Sequence, residues 1–357
     1  MTTRIAVVVS GFPRRSETFA VNELVALHER GVLTGIYATK PGEIGDLQPG
    51  CDRLMPLVQV LPPVEESAQG SSLARLLEGT GVHGVHAYFA HAPAAVAQQA
   101  AARLGLPFGF SVHAKDARKV NRSVLAARAQ RASCVVACND DVAGELRDLG
   151  ARVAVVPHGV DLRRFCATAP PSRPGLRLLA VGRLVEKKGF EILVDAMTRT
   201  SGDITLRIVG DGPDRARLQA RINASGLAAR ITLAGARTHA TLPAEYAAAD
   251  VVVVPSVVDR SGDRDGLPNV VLEAMASQRA VIGTRVGAIG AAITDGATGL
   301  LIDPGSAPAL ADSMQRLAAD RPLRWLLGRL ARIEVARRYD VERCAERFTR
   351  LLEAVYA

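Results

Sequence analysis

Asp265 and Glu273 bracket the most informative stretch of the chain, residues 250–277, which reads DVVVVPSVVDRSGDRDGLPNVVLEAMAS. Residues 251–254 are a short β-branched run with a turn signal after it, as in a parallel strand covered on both faces. Pro268 fits the first position of the helix that follows, because its ring presets φ and its missing N–H has no intrahelical partner to lose. The N–H groups around Gly266 and Leu267 then gather at the positive end of that helix, where an anion or a sugar hydroxyl can be held. Asp265 sits at this mouth. Glu273, eight positions later and about two turns on, faces roughly the same side. The two acids are also compatible with a helix cap at Asp265 and a surface ion pair at Glu273.

A second cluster lies in residues 178–189, LLAVGRLVEKKG, which put Gly182 and Arg183 just after a buried strand and Lys188 five residues further on. Fixed cations in a dry cleft stabilise the charge that builds on a departing diphosphate, with no metal needed. Lys187 reads as a solvated neighbour, and a plain surface loop would contain the same residues. Residues 110–116, FSVHAKD, place His113 and Asp116 after another strand, where a neutral imidazole or a carboxylate could hydrogen-bond a sugar hydroxyl or a developing charge. A lone loop histidine is usually incidental. Ser16, in GFPRRSETF at 11–19, can cap the first helix and turn the following N–H groups toward a ligand. His83, His86 and His91, spaced three and five apart around a strand end, resemble metal spacing only superficially.

Taken together these segments resemble glycosyltransferase family 4. The carriers are D-G-L-P-N-V-V-L-E-A-M-A, with seven residues between its acids, and G-R-L-V-E-K-K-G at 182–189. Further support comes from V-G-D-G-P at 209–213, the His-x-x-Asp of residues 113–116, and P-H-G-V-D at 157–161. Most family members carry Glu where this chain has Asp265, so the reach is one methylene shorter. The resemblance implies the GT-B fold, an α/β architecture of two doubly wound Rossmann-like domains facing across an interdomain cleft. It also implies a retaining, metal-independent transfer of a sugar from a nucleoside-diphosphate sugar to a glycan, a lipid-linked acceptor or a small-molecule hydroxyl.

Residue by residue, the resemblance has Arg183 and Lys188 grip the donor diphosphate, Glu273 take the ribose, and Asp265 contact the transferred sugar. It assigns His113 to the donor sugar and Asp116 to the cleft. Residues 208–214 read as scaffold, because a tight strand-to-helix turn needs small residues with or without a ligand. Residues 233–237, LAGAR, correspond to the loop that abuts the nucleobase. S-E-T-F and G-D-R-D-G-L-P resemble the exopolysaccharide branch of the family, of the colanic-acid type. No cofactor is implied. Two rivals remain: a sugar-nucleotide epimerase on a similar scaffold, and a catalytically silent sugar-nucleotide-binding partner of another transferase. A dehydrogenase is disfavoured, since the first strand leads to SGFPRRSETF and not to G-x-G-x-x-G.

The elements that must position these residues follow from pattern. Strand-like runs at 5–9, 84–89, 108–112, 134–137 and 153–156 alternate with helical patterns at 17–30 and 92–104, which implies a parallel sheet with right-handed crossovers. A second series begins at 178–181 and continues at 204–209, 231–233, 251–254 and 280–282. The proline-rich stretch 167–175, ATAPPSRPG, suits a linker. The expected domains are therefore residues 1–166 on the acceptor side and 172–339 on the nucleotide-sugar side. A final helix at about 340–357, capped by Asp340, returns to the first domain by the family resemblance. In such sheets ligands collect beyond the carboxyl ends of the strands.

Composition narrows the classes further. A chain of 357 residues with 48% hydrophobic residues fits two domains of common size. No apolar run approaches the ~18 residues needed to span a bilayer, so a cytoplasmic protein is expected. Five scattered cysteines suggest neither a disulfide framework nor a zinc site. The formal charge of +8 invites nucleic acid, but aromatics are only 4% and no basic–aromatic motif appears, so no nucleic-acid partner is expected. An anionic membrane surface is the other basic-protein partner. The expected contact is one helix over 115–131, where Arg118, Lys119, Arg122, Arg128 and Arg131 accompany Val120, Val124 and Leu125. An ordinary solvated helix face in an arginine-rich protein has the same pattern.

Overall fold

A computed structural model describes residues 3–14, 17–45, 48–113, 120–169 and 174–357. The chain forms two units, one of residues 1–159 and 341–357, the other of residues 160–340. The first is built on strands β1 (Ile5–Val9), β2 (Leu33–Ala38), β3 (Val58–Val60), β4 (Gly84–Tyr88), β5 (Phe108–Val112), β6 (Cys134–Ala137) and β7 (Val153–Val155). Their order in the sheet is β3-β2-β1-β4-β5-β6-β7, with every neighbouring pair parallel. β1, β4, β5 and β6 are buried along their whole length, which is why they read as apolar runs interrupted only by His86 in β4 and Ser111 in β5. Strand order reverses between β1 and β4, and the loops leaving that pair flank the crevice where such sheets take ligands.

The helix Val341–Tyr356 belongs to this first unit, with Phe348, Leu352 and Tyr356 in one core with Ile5, Leu24 and Leu27. Gly84 makes room for it: a Cβ there would lie 2.2 Å from the Tyr356 ring. The Tyr356 hydroxyl is 3.1 Å from His86 Nδ1, and His86 Nε2 is 2.9 Å from Ser111 Oγ. Burial pushes the His86 pKa down to about 3, so this imidazole is a neutral core group.

Two helices differ from expectation. The first begins at Thr18, with Glu17 at the cap position and no side-chain cap, while Ser16 lies outside the described residues. The basic helix runs over Arg122–Arg131, capped by Asn121 through the Ser123 N–H at 2.9 Å. Arg118 and Lys119 lie outside the described residues. Arg128 is not a surface charge: it donates to the carbonyls of Ala90 and His91, the latter at 3.3 Å, and burial lowers its pKa. It is therefore withdrawn from any membrane-facing row.

The second unit contains β8 (Leu176–Val181), β9 (Ile204–Val209), β10 (Ile231–Leu233), β11 (Val251–Val254), β12 (Ala280–Thr284) and β13 (Leu300–Ile302), all parallel, in the order β10-β9-β8-β11-β12-β13. Its order reverses between β8 and β11. Residues ahead of the proline-rich stretch pack here: Val160 and Phe165 join the core around Val252 and Met275. Arg332 fastens them by donating to the carbonyls of Leu162 at 3.2 Å and Phe165 at 3.0 Å. No helix among the described residues is long and apolar enough to cross a membrane.

Candidate functional site

Lys188 and Asp265 come from the two loops that leave β8 and β11, on either side of the reversal in strand order. β8 and β11 pair only at Leu178–Val251 and Leu179–Val252, and beyond that register their loops are tied by other bonds. The Val257 N–H donates to the Lys187 carbonyl at 2.9 Å. Gly189 allows the close approach. Its φ is +67°, and a Cβ would stand 1.9 Å from the Pro255 carbonyl oxygen.

The result is a buried carboxylate held by cations. Asp265, 8% exposed, accepts from Lys188 Nζ at 2.8 Å and from Ser256 Oγ at 2.8 Å, both on Oδ2. Lys187 Nζ lies 3.5 Å from the other oxygen of Asp265 and 3.3 Å from Asp263 Oδ2. Lys187 is thus a paired member of the cluster and not a solvated neighbour. Asp265 is also more than a helix cap. Arg183 is exposed and forms no ion pair among the described residues, so its guanidinium is available to a ligand.

The helix after Asp265 spans Asn269–Ala276, with Pro268 in the cap position and not at the first helical residue. The reason lies in its backbone: φ is −67°, as the ring requires, but ψ is 133°, which is extended. Residues 265–268 are consequently not helical, and two-turn spacing does not relate Asp265 to Glu273. Gly266 and Leu267 form a bend instead, with the Gly266 carbonyl accepting from the Ala288 N–H at 3.2 Å.

Glu273 is 6% exposed and accepts from the Tyr246 hydroxyl at 2.6 Å, which excludes a surface ion pair. Burial holds its pKa above the usual carboxylate range, opposed by the Tyr246 hydrogen bond and the charge of Arg164. The Tyr246 hydroxyl is driven well up by burial first and by Glu273 second. A buried carboxylate with one neutral donor is costly unless a further donor arrives, as a ligand hydroxyl would. Nearby, Glu245 accepts from Arg207 at 2.7 Å and from Arg237 at 3.0 Å, fixing the loop at 233–237. Gly210 brings the loop after β9 against β8, since a Cβ there would meet the Gly182 carbonyl at 1.8 Å.

The first unit gathers a separate cluster at the carboxyl ends of β4 and β5. His113 follows β5 and stacks among Phe19 at 4.5 Å, Phe89 at 4.8 Å and His158 at 4.9 Å between ring centres. Burial, then the charges of His158, His86 and His91, depress its pKa well below the ordinary value, so it is a neutral imidazole. Its sequence partner Asp116 lies outside the described residues.

His158 is the opposite case. Burial works against its charge, but Cys138 and Glu23 outweigh burial and push its pKa up to about 10. The firmer of these causes is Glu23, whose Oε1 is 3.0 Å from His158 Nδ1 while its Oε2 accepts from the Tyr88 hydroxyl at 2.7 Å. A cationic imidazole therefore stacks on a neutral one. Pattern reading misses this pair, because Glu23 sits within an ordinary apolar helix face and His158 within an irregular segment after β7. Ser256 and Tyr246 are missed likewise; the one available signal is Ser256's place two residues after β11. Among the described residues, no group of three or more His, Cys, Asp or Glu side chains is placed to share a metal ion.

Comparison with known proteins agrees with this architecture. A family model described as Glycosyltransferase Family 4 matches residues 16–164, and one described as Glycosyl transferases group 1 matches residues 175–320. The chain is 35% identical over 150 residues to the alpha-D-kanosaminyltransferase of Streptomyces kanamyceticus, covering 41% of this chain and 37% of that protein. It is 32% identical over 198 residues to the putative colanic acid biosynthesis glycosyltransferase WcaL of Escherichia coli, covering 53% and 48%. The chain thus spans less than half the length of these two curated relatives. Among solved structures, Anabaena Alr3699/HepE in complex with UDP superposes with a TM-score of 0.84 at 19% identity, over 99% of this chain and 100% of that one. The apo form of the lipopolysaccharide outer core galactosyltransferase WaaB gives 0.78 at 18% identity, over 99% of each.

Proposed function

Because this chain belongs to glycosyltransferase family 4 and has the GT-B fold, we propose that it transfers a sugar from a nucleoside-diphosphate donor to a hydroxyl of a glycan, a glycolipid or another small acceptor. The transfer retains the anomeric configuration and needs no metal ion. The carrying observation is the convergence of Lys187, Lys188 and Ser256 on Asp265 at the reversal of strand order, with the buried carboxylate of Glu273 on the helix that follows.

Each group has a task suited to its chemistry. Lys188 and the exposed Arg183 take the diphosphate and stabilise the charge that grows on it as the glycosidic bond breaks. Glu273 accepts from the donor's ribose hydroxyls, which supply the second donor that its buried carboxylate lacks. On diphosphate binding Lys188 is shared with the phosphate, which releases Asp265 toward the transferred sugar. The bend at Gly266 and Leu267 presents backbone to the same ligand. His113, held neutral, hydrogen-bonds a sugar hydroxyl without adding charge. Ser16 and Asp116 complete the family's set of contacts.

The solved HepE structures contain UDP, and one of them UDP-glucose, so uridine and other nucleoside-diphosphate hexoses are the first donors to test. Similarity to WcaL supports an acceptor in exopolysaccharide assembly. The deciding experiment incubates the protein with nucleoside-diphosphate hexoses and a panel of glycan and lipid-linked acceptors, with and without EDTA. NMR then reads the anomeric configuration of the product. Transfer with retention that survives EDTA is expected. Epimerised donor without an acceptor would favour an epimerase. No turnover in the presence of nucleotide binding would favour a silent binding subunit.

A further inference from the structure

The helix Arg321–Arg338 has an outer face that its own unit does not cover. Trp325, Leu326, Leu330 and Ile333 are 45%, 48%, 36% and 59% exposed, and their spacing puts all four in one sector of the helix. Arg321, Arg329 and Arg337 are exposed in the same sector. Six arginines and a single acid, Glu334, occur over these residues, and Glu334 is already occupied by Arg337 at 3.0 Å and Arg338 at 3.2 Å. The Arg329 guanidinium lies over the Trp325 ring, 4.5 Å from its centre. Four exposed large apolar side chains side by side among basic residues are not the solvated face of an ordinary helix.

At the start of the same helix a cavity of about 380 Å³ is lined by Arg279, Arg321, Arg324, Trp325, Gln278 and Asp250. Arg279 is 1% exposed; it donates to Thr168, and its buried Nε has no hydrogen-bond partner. Asp250, the one acid of the lining, accepts from the Arg177 N–H at 2.9 Å and lies near its guanidinium. Three arginines thus face the cavity against one carboxylate that is already engaged. The lining residues Asp250 and Arg279 immediately precede β11 and β12, so the cavity lies at the amino end of β11, whose carboxyl end leads to the candidate donor site.

We propose that this face docks on an anionic lipid bilayer. Arg279, Arg321 and Arg324 receive a lipid phosphate, while Trp325, Leu326, Leu330 and Ile333 enter the boundary between headgroups and acyl chains. Charge complementarity selects this occupant: basic residues near an anionic surface each contribute to binding, and the aliphatic stems of arginine let the apolar strip sink while their heads stay among the phosphates. Tryptophan at such a boundary keeps its ring in the apolar layer and its N–H in the polar one. The inference does not rest on the transferase reading.

Trp325 is the only tryptophan of the chain, so its fluorescence reports on this face alone. The full chain is mixed with vesicles of phosphatidylglycerol and phosphatidylcholine, or of phosphatidylcholine alone, and followed by emission spectrum, quenching by bromine-labelled lipid, and sedimentation. A blue shift, quenching and sedimentation confined to the anionic vesicles are expected. Leu330→Glu with Ile333→Glu should abolish all three, and Arg321→Glu should weaken binding about tenfold or more with an unchanged melting temperature. Unchanged emission with anionic vesicles overturns the proposal, as does equal binding by the Leu330→Glu, Ile333→Glu variant. An equal emission change on adding glycerol phosphate without vesicles overturns it in favour of a soluble phosphate ligand, and a dimer dispersed by the same variant in favour of a second copy of the chain.

Discussion

Lys188 Nζ and Asp265 Oδ2 meet at 2.8 Å although 77 positions separate them. The residue proposed to hold the diphosphate and the residue proposed to address the sugar are therefore one ion pair before any ligand arrives. A diphosphate must compete with Asp265 for the lysine, so binding of the donor and freeing of the carboxylate are a single event.

That coupling separates two variants. Lys188→Ala should weaken nucleoside-diphosphate binding about tenfold or more, the loss of one charge-assisted hydrogen bond. Asp265→Asn frees Lys188 of its acid, while Lys187 keeps Asp263, and should bind free nucleotide at least as well as the parent, yet lose transfer by about a hundredfold or more. Calorimetric titration and initial rates distinguish them. Equal loss of nucleotide affinity in both would show that the pair acts as scaffold.

Glu273 makes a prediction about pH. Its pKa in the folded chain is raised from the ordinary 4.5 by burial, so the folded state binds this proton more tightly than the unfolded state. The stability it contributes is full below about pH 4.5 and is lost as pH rises through the folded value. Glu273→Gln imitates the protonated form. The stability of that variant relative to the parent, measured by urea unfolding, should therefore increase between pH 4 and pH 7. A difference independent of pH would contradict the raised value. Tyr246→Phe removes the 2.6 Å hydrogen bond and should cost about 1–3 kcal/mol at pH 7.

His158 tests the electrostatics of the first unit. A folded pKa of about 10 against an ordinary 6.5 means that its contribution to stability is full below pH 6.5 and is lost as pH rises through about 10. NMR of the histidine rings should find His158 protonated at pH 8 and His113 neutral at every pH from 5 to 9. Glu23→Gln should bring the His158 titration back toward neutrality, whereas Tyr88→Phe, which leaves the carboxylate in place, should not. Ordinary titration of His158 in the parent chain would remove the ion pair from this picture.

How far the sequence foretells this architecture depends on the range over which each signal acts. Residues 5–9 and 251–254 are unbroken apolar runs, and each is a strand over those positions because burial on both faces leaves no polar position to blur its limits. β2 is concealed by Thr34 and Gly35 in its middle, and β3 is three residues long with two of them exposed. Local pattern also misjudges Pro268, since a ring that fixes φ leaves ψ to the surrounding packing. The acids and cations of the donor loops are visible from their types and their family resemblance. Their pairing is not, because Lys187 finds Asp263 and Asp265, and Glu23 finds His158 from 135 positions away, only after both sheets have formed.

If the loops after β8 and β11 hold a nucleoside diphosphate, as proposed, a bound nucleotide must stabilise the folded chain. The protein is heated with UDP, GDP, ADP, CDP and dTDP over a range of concentrations, each with and without EDTA. A nucleotide that binds the folded chain adds about 2.7 kcal/mol at a hundred times its dissociation constant. At least one should raise the melting temperature in a dose-dependent way, unaffected by EDTA, with about tenfold or more nucleotide needed for the same shift in Lys188→Ala. No shift with any of the five, or an undiminished shift in a chain carrying both Arg183→Ala and Lys188→Ala, would contradict it.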